Sequence, residues 1–149
     1  MAAHRLFRSC LPLFAMSVAI LALAPAGANA ADAFKVRLTP VPIEASTAAK
    51  TKGSGSATAS LEGTTLTVNG SFAGLQGPAT VAHLFEGAAT GVRGAAIADF
   101  TVPQSASGSF SAKLTLTAAQ SESLRQGRIY MQIHSAAAPD GNLWGWLLR

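Results

Sequence analysis

The chain has 149 residues, 49% of them hydrophobic, 12% charged and 7% aromatic, with eleven Lys and Arg against seven Asp and Glu. A length near ~150 fits one domain, and the formal charge of +4 falls to +2 once Arg5 and Arg8 are assigned to a leader, too little for the basic patch that nucleic-acid binding needs. The single cysteine, Cys10, falls in the same leader, which excludes a disulfide scaffold, a thiolate zinc site and a thiol nucleophile from the chain beyond it.

Residues 1–30 read as a cleaved secretory signal. His4, Arg5 and Arg8 make a basic start, Leu11 to Ala24 is apolar, and Ala28-Asn29-Ala30 supplies the small-x-small pattern before a cut at Ala31. The apolar stretch counts 14 residues and holds Pro12. A spanning helix needs about 20 residues, so a retained signal-anchor is the lesser alternative. Cys10 precedes the apolar stretch, which argues against a lipoprotein. No second run of membrane length follows, and the expected product is one exported domain, residues 31–149, periplasmic or secreted.

The exported part is a succession of short alternating runs broken by Gly, Pro and Ser, the pattern of an all-β sandwich or barrel. Phe34 to Thr39 alternates apolar and polar until Pro40 and Pro42. Ile43 to Gly53 is small and polar, and reads as a mobile loop. Ser54 to Glu62 and Thr64 to Phe72 form a hairpin turning at Glu62-Gly63, with Leu66, Val68, Gly70 and Phe72 on one face of the second arm. Strands follow over Thr80 to Phe85, Ala95 to Val102 and Gly108 to Thr115. Thr117 with Gln120 three residues on is a capping box, Leu124 gives an apolar anchor and Gly127 a stop, so a helix is expected over Thr117 to Gln126. Ile129 to His134 and Leu143 to Leu148 close the chain as strands around a Pro139-Asp140-Gly141 turn. The expected total is about eight strands and one short helix.

These pieces, in order, resemble the CHRD domain, a module named for its repeats in chordin and found singly in exported bacterial proteins. The matching segments are Phe34-x-Val36-x-Leu38-Thr39-Pro40, Ala82-His83 with the following Gly87, Gly91 and Gly94, Leu116-Thr117-x-x-Gln120-x-x-x-Leu124-x-x-Gly127, Ile129-Tyr130-x-x-Ile133-His134-Ser135, and Pro139-x-Gly141-x-Leu143-x-Gly145-x-Leu147. The resemblance covers nearly all of residues 31–149. It implies an immunoglobulin-like, Greek-key β-sandwich or barrel without a settled biochemical role, and fold likeness does not transfer chordin's growth-factor partners. Two departures stand out. The family commonly writes His-x-His where this chain has His83 and Phe85, and polar residues around the last-strand glycine where it has Trp144 and Trp146.

Enzymatic chemistry finds little support in the residues. No Gly-x-Ser-x-Gly elbow occurs. Ser135 follows His134 directly, and successive strand residues face opposite ways. No two of the seven acids are evidently paired for glycoside hydrolysis. The Gly87, Gly91 and Gly94 loop lacks the Lys-Ser/Thr and helix of a phosphate cradle. No catalytic residue and no cofactor is expected.

Two histidines remain beyond the leader, His83 and His134. With Asp99 or Asp140 they are candidates for a Zn or Cu site or a degenerate superoxide-dismutase-like sandwich. The set is incomplete, because structural zinc takes four protein ligands and catalytic zinc three. The plainer reading has each imidazole bonding a loop carbonyl.

Alternation gathers a more distinctive group. Ile129, Met131 and Ile133 share one side of their strand, which leaves Tyr130, Gln132 and His134 on the other, and Trp144 and Trp146 oppose Leu143, Gly145 and Leu147. The middle strand permits either Ala82 and Leu84 or Val81 and Phe85 inside, and the family pattern favours the first pair. His83, Phe85, Tyr130, His134, Trp144 and Trp146 then share one sheet surface, as a contact face for an extracytoplasmic protein, a glycan or an apolar ligand. The competing readings are that the Thr117 to Gln126 helix or the Ile43 to Gly53 loop covers this face, or that a partner subunit does. A non-enzymatic binding or structural module is the expectation.

Overall fold

The computed structural model describes residues 30–42 and 45–149. The signal peptide expected over residues 1–30 lies outside the described residues, apart from residue 30. Eight strands run as β1 (Asp32–Pro40), β2 (Ser54–Glu62), β3 (Thr65–Ala73), β4 (Ala79–Glu86), β5 (Ala95–Phe100), β6 (Gly108–Thr115), β7 (Ile129–Ser135) and β8 (Leu143–Trp146), with one helix, α1 (Ala118–Arg125), between β6 and β7.

All neighbouring strands pair antiparallel in a single sheet of order β5-β4-β7-β8-β1-β2-β3-β6. The sheet curls until its two edge strands almost meet. Phe100 at the end of β5 lies 5.7 Å from Phe110 of β6 between ring centroids, and the β5–β6 connection accepts hydrogen bonds from Leu75 and Ala79. Of the two forms expected, the continuous sheet takes the barrel form.

Alternation of inward and outward side chains explains why these runs fold as strands. In β1, Phe34, Val36 and Leu38 are buried while Lys35, Arg37 and Thr39 are exposed. In β7, Ile129, Met131 and Ile133 are fully buried. Ala82 and Leu84 are also fully buried, so β4 takes the inward pair that the family pattern favours. Together these side chains form one continuous apolar core.

Most element ends differ from the sequence reading by a residue or two, and three of these differences affect the account. The β2–β3 turn is Gly63-Thr64, since Glu62 already pairs with Thr65. Its glycine has φ +61° at the first turn position, as a type II′ hairpin needs. Strand β5 stops at Phe100, and β8 stops at Trp146, with Leu148 reduced to an isolated bridge to Lys35.

Helix α1 caps one end of the barrel. Gln120 N–H donates to Thr117 Oγ1 (3.1 Å) and Thr117 N–H to Gln120 Oε1 (2.9 Å), the complete capping box. At its other end Gly127 N–H reaches Leu124 O and Arg128 N–H reaches Ser123 O, a Schellman motif made possible by Gly127 at φ +69°. Leu124 is fully buried, and Asp32 ties the helix to Arg149, pairing with Arg125 (2.8 Å) and Arg149 (2.6 Å). These two guanidinium groups, Arg125 foremost by its hydrogen bond, hold the Asp32 carboxyl below its ordinary value.

The segment expected as a mobile loop is a run of turns over residues 45–50. Its end is pinned by Asn142, which is wholly buried, donates from Nδ2 to Lys52 O (2.6 Å) and accepts from Ser135 Oγ (2.9 Å). Asn142→Ala strands both partners, and buried groups left unpaired cost about 1–3 kcal/mol. The expected loss of stability is about 2 kcal/mol by urea denaturation; an unchanged midpoint would remove Asn142 from this role.

Candidate functional site

Strands β4, β7 and β8 are consecutive in the sheet, so their outward residues fall into rows. Phe85, Tyr130 and Trp146 pair across one row, and His83, Gln132 and Trp144 across the next. The six residues singled out from the sequence therefore do share one surface, with His134 one step further along β7.

The rings are in contact throughout. Phe85 stacks on Tyr130 at 4.9 Å and 7° between planes. Tyr130 lies 4.6 Å from Trp146 and 5.8 Å from Trp144, and the two indoles are 6.4 Å apart. His83 meets His134 edge to face at 4.9 Å. Tyr130 is 2% exposed, whereas Phe85, both tryptophans and both histidines are half-buried. A surface of this kind leaves apolar area open beside polar atoms.

A loop closes over Tyr130. It is the glycine-rich β4–β5 connection: Gly94 N–H points to the Tyr130 hydroxyl (3.4 Å), and Arg93 lies 5.1 Å over the Trp144 ring. Thr90 anchors the other end by donating to Gly127 O (2.7 Å). The indole of Trp146 stays open on the side facing β1.

His134 serves the loop end of this face, whereas His83 makes ring contacts with Phe85 and His134 and does not take the loop-carbonyl role expected for both imidazoles. Pro139 O can only accept, so at 2.7 Å the His134 Nδ1 carries the proton. In the neutral ring Nε2 is then an acceptor, and it faces the Gln132 amide at 3.4 Å. Gln132 also donates to Asp140 O (2.8 Å), an approach open only because Gly141 has no Cβ, which would stand 2.1 Å from Gln132 Nε2. Among the described residues no three His, Cys, Asp or Glu side chains are grouped to hold a metal, so neither Asp99 nor Asp140 completes a set with His83 and His134. The metal alternative has no donor set to rest on.

Burial lowers the His134 pKa below its ordinary 6.5, and His83 pushes in the same direction, while the Pro139 carbonyl and Asp140 oppose. A depressed imidazole binds its proton more readily in the unfolded chain. Its stabilising contribution is complete above about pH 6.5 and is lost as pH falls through the folded value. Urea midpoints are expected to fall between pH 7.5 and 5, with a shallower fall in His134→Gln; parallel profiles would contradict the assignment.

The CHRD domain family model matches residues 34–147. The chain belongs to the CHRD-domain family. All six residues of the face lie within the matched segment, as does the Ala82-His83 strand that carried the resemblance. No curated protein and no solved structure matches the chain.

Sequence reasoning missed the polar supports of this CHRD face. Gln132 sits in an alternation that marks it as outward, yet it is 3% exposed. Arg93 reaches Trp144 from a loop about fifty residues away in sequence, which no local periodicity reveals. Lys35 and Arg37 were legible as outward residues of β1, but nothing local sets β1 beside β8.

Proposed function

We propose that this CHRD domain is an exported, non-enzymatic binding module that engages its ligand through the outer aromatic face of β4, β7 and β8. The observation that carries the reading is the unbroken chain of Phe85, Tyr130, Trp146 and Trp144 rings on the solvent side of strands whose inner side already fills the core. Large side chains add nothing to the core from there, whereas clustered aromatic residues are the usual anchors of contact surfaces. The non-enzymatic part of the reading is supported by His134, whose two ring nitrogens face Pro139 O and the Gln132 amide.

Export is supported by the leader pattern of residues 1–30 and by the occurrence of CHRD domains in extracellular proteins. No helix among the described residues is long and apolar enough to cross a membrane.

The test is tryptophan emission during titration with neutral dextran, polygalacturonate, dextran sulfate and the apolar dye anilinonaphthalene sulfonate. At least one is expected to shift the emission of the wild type. The same probe should no longer bind Trp144→Ser/Trp146→Ser in gel affinity electrophoresis or dye fluorescence, while that variant keeps a cooperative melt. Binding that survives both substitutions, or no response to any probe, would overturn the reading.

A further inference from the structure

The aromatic face does not stop at β8. Pairing of Thr39 with Trp144 and of Lys35 with Leu148 places Arg37 across from Trp146. Lys35, Arg37, Trp144, Trp146 and Leu148 line a groove of about 410 Å³ along this seam. Lys35 and Arg37 are exposed and enter no ion pair among the described residues. On the far side of Trp144 stands Arg93, also outside any such ion pair, beside a cleft that Lys50 lines as well. The two half-buried indoles are thus bracketed by cations that enter no ion pair among the described residues.

Beyond Arg37 and Lys35 the sheet surface changes character. Ser56 pairs with Arg37 and Thr58 with Lys35, and Asn69 follows on β3, all exposed and uncharged. Hydroxyl and amide groups both donate and accept hydrogen bonds, which suits a hydroxyl-rich chain. A nucleic acid would instead call for the basic footprint to continue across the face.

Resting on the contact-face reading above, we infer that the β1–β8 seam binds an acidic polysaccharide, its sugar rings against Trp146 and Trp144 and its anionic groups on Arg37 and Lys35. The complementarity is of two kinds at once. Indole faces accept the apolar face of a pyranose, and a guanidinium forks onto a carboxylate or sulfate. Outward residues two apart on a strand are separated by about 6.5 Å, so ring and charge repeat together along the groove, as the 6.4 Å between the indoles illustrates.

The experiment is affinity electrophoresis with tryptophan-emission titration against polygalacturonate, dextran sulfate, neutral dextran and a single-stranded oligonucleotide. At least one acidic polymer is expected to bind, with an affinity that falls as salt rises. Each of Lys35→Gln/Arg37→Gln and Trp146→Leu should weaken that binding roughly tenfold or more while leaving the melt cooperative. Polygalacturonate as the better ligand marks a carboxylate site, dextran sulfate a sulfate site, and either supports the inference. Failure of both polymers to bind overturns it, as does an oligonucleotide that binds equally well. Equal binding of neutral dextran, or indifference to Lys35→Gln/Arg37→Gln, overturns the anionic class and leaves the aromatic face standing. Acidic binding untouched by Trp144→Ser/Trp146→Ser overturns the inference and the contact-face reading together.

Discussion

Tyr130→Ala is expected to lower folding stability by about 3–5 kcal/mol, the usual cost of truncating a buried aromatic ring. Tyr130 is only 2% exposed although it points away from the barrel interior, because Phe85, Trp146 and the β4–β5 connection enclose it. Truncation removes the ring on which Phe85 stacks and both indoles lean. Tyr130→Phe keeps all of that and gives up only the 3.4 Å bond from Gly94 N–H. A bond near the long limit contributes at the low end of the usual range, so the loss should be about 0.5 kcal/mol. Urea denaturation of both variants decides the matter. Equal costs would mean that the hydroxyl, and not the ring, organises the face.

Gly145→Val is expected to cost about 3 kcal/mol, at the upper end of ordinary overpacking. A Cβ at Gly145 would lie 2.3 Å from Arg37 O and 2.6 Å from Val36 Cγ1. The valine side chain can change rotamer, but the carbonyl oxygen belongs to the β1 backbone. Entropy gained by removing a glycine from the unfolded chain offsets only about 0.4–1 kcal/mol. The seam that must give way is short, with Thr39–Trp144 and Pro40–Leu143 as its strand pairs and Lys35–Leu148 as an isolated bridge. Opening it would also separate Arg37 from Trp146. The variant should therefore lose polysaccharide binding as well as stability, and an unchanged urea midpoint would show that the seam is more pliant than its geometry implies.

How far the sequence revealed this arrangement depended on the range of the signal. Strands β7 and β8 were legible because Ile129, Met131 and Ile133, and then Leu143, Gly145 and Leu147, fall on every second residue. The helix was legible because Thr117, Gln120 and Gly127 carry its caps within ten residues. Strand β4 was ambiguous, since Val81 and Phe85 are as apolar as Ala82 and Leu84, and the inward face followed from family pattern instead of hydropathy.

The supports of the face are non-local and were not legible. Asn142 binds Lys52 across 90 residues, and Arg93 covers Trp144 across 51. Neither leaves a periodicity behind. The order β4-β7-β8-β1 that brings ring and cation together is likewise a property of the closed sheet, not of any one segment.

The two tryptophans of this chain provide the most direct measurement. Their indole Nε1–H groups give two resolvable amide-type NMR signals, and the acidic polymer that binds can be titrated while both are followed. Both indole signals, and the backbone amides of β1 and β8, are expected to move with a single affinity, with the amides of β6 unaffected. Shifts confined to β3 and β6, with both indoles stationary, would contradict the account.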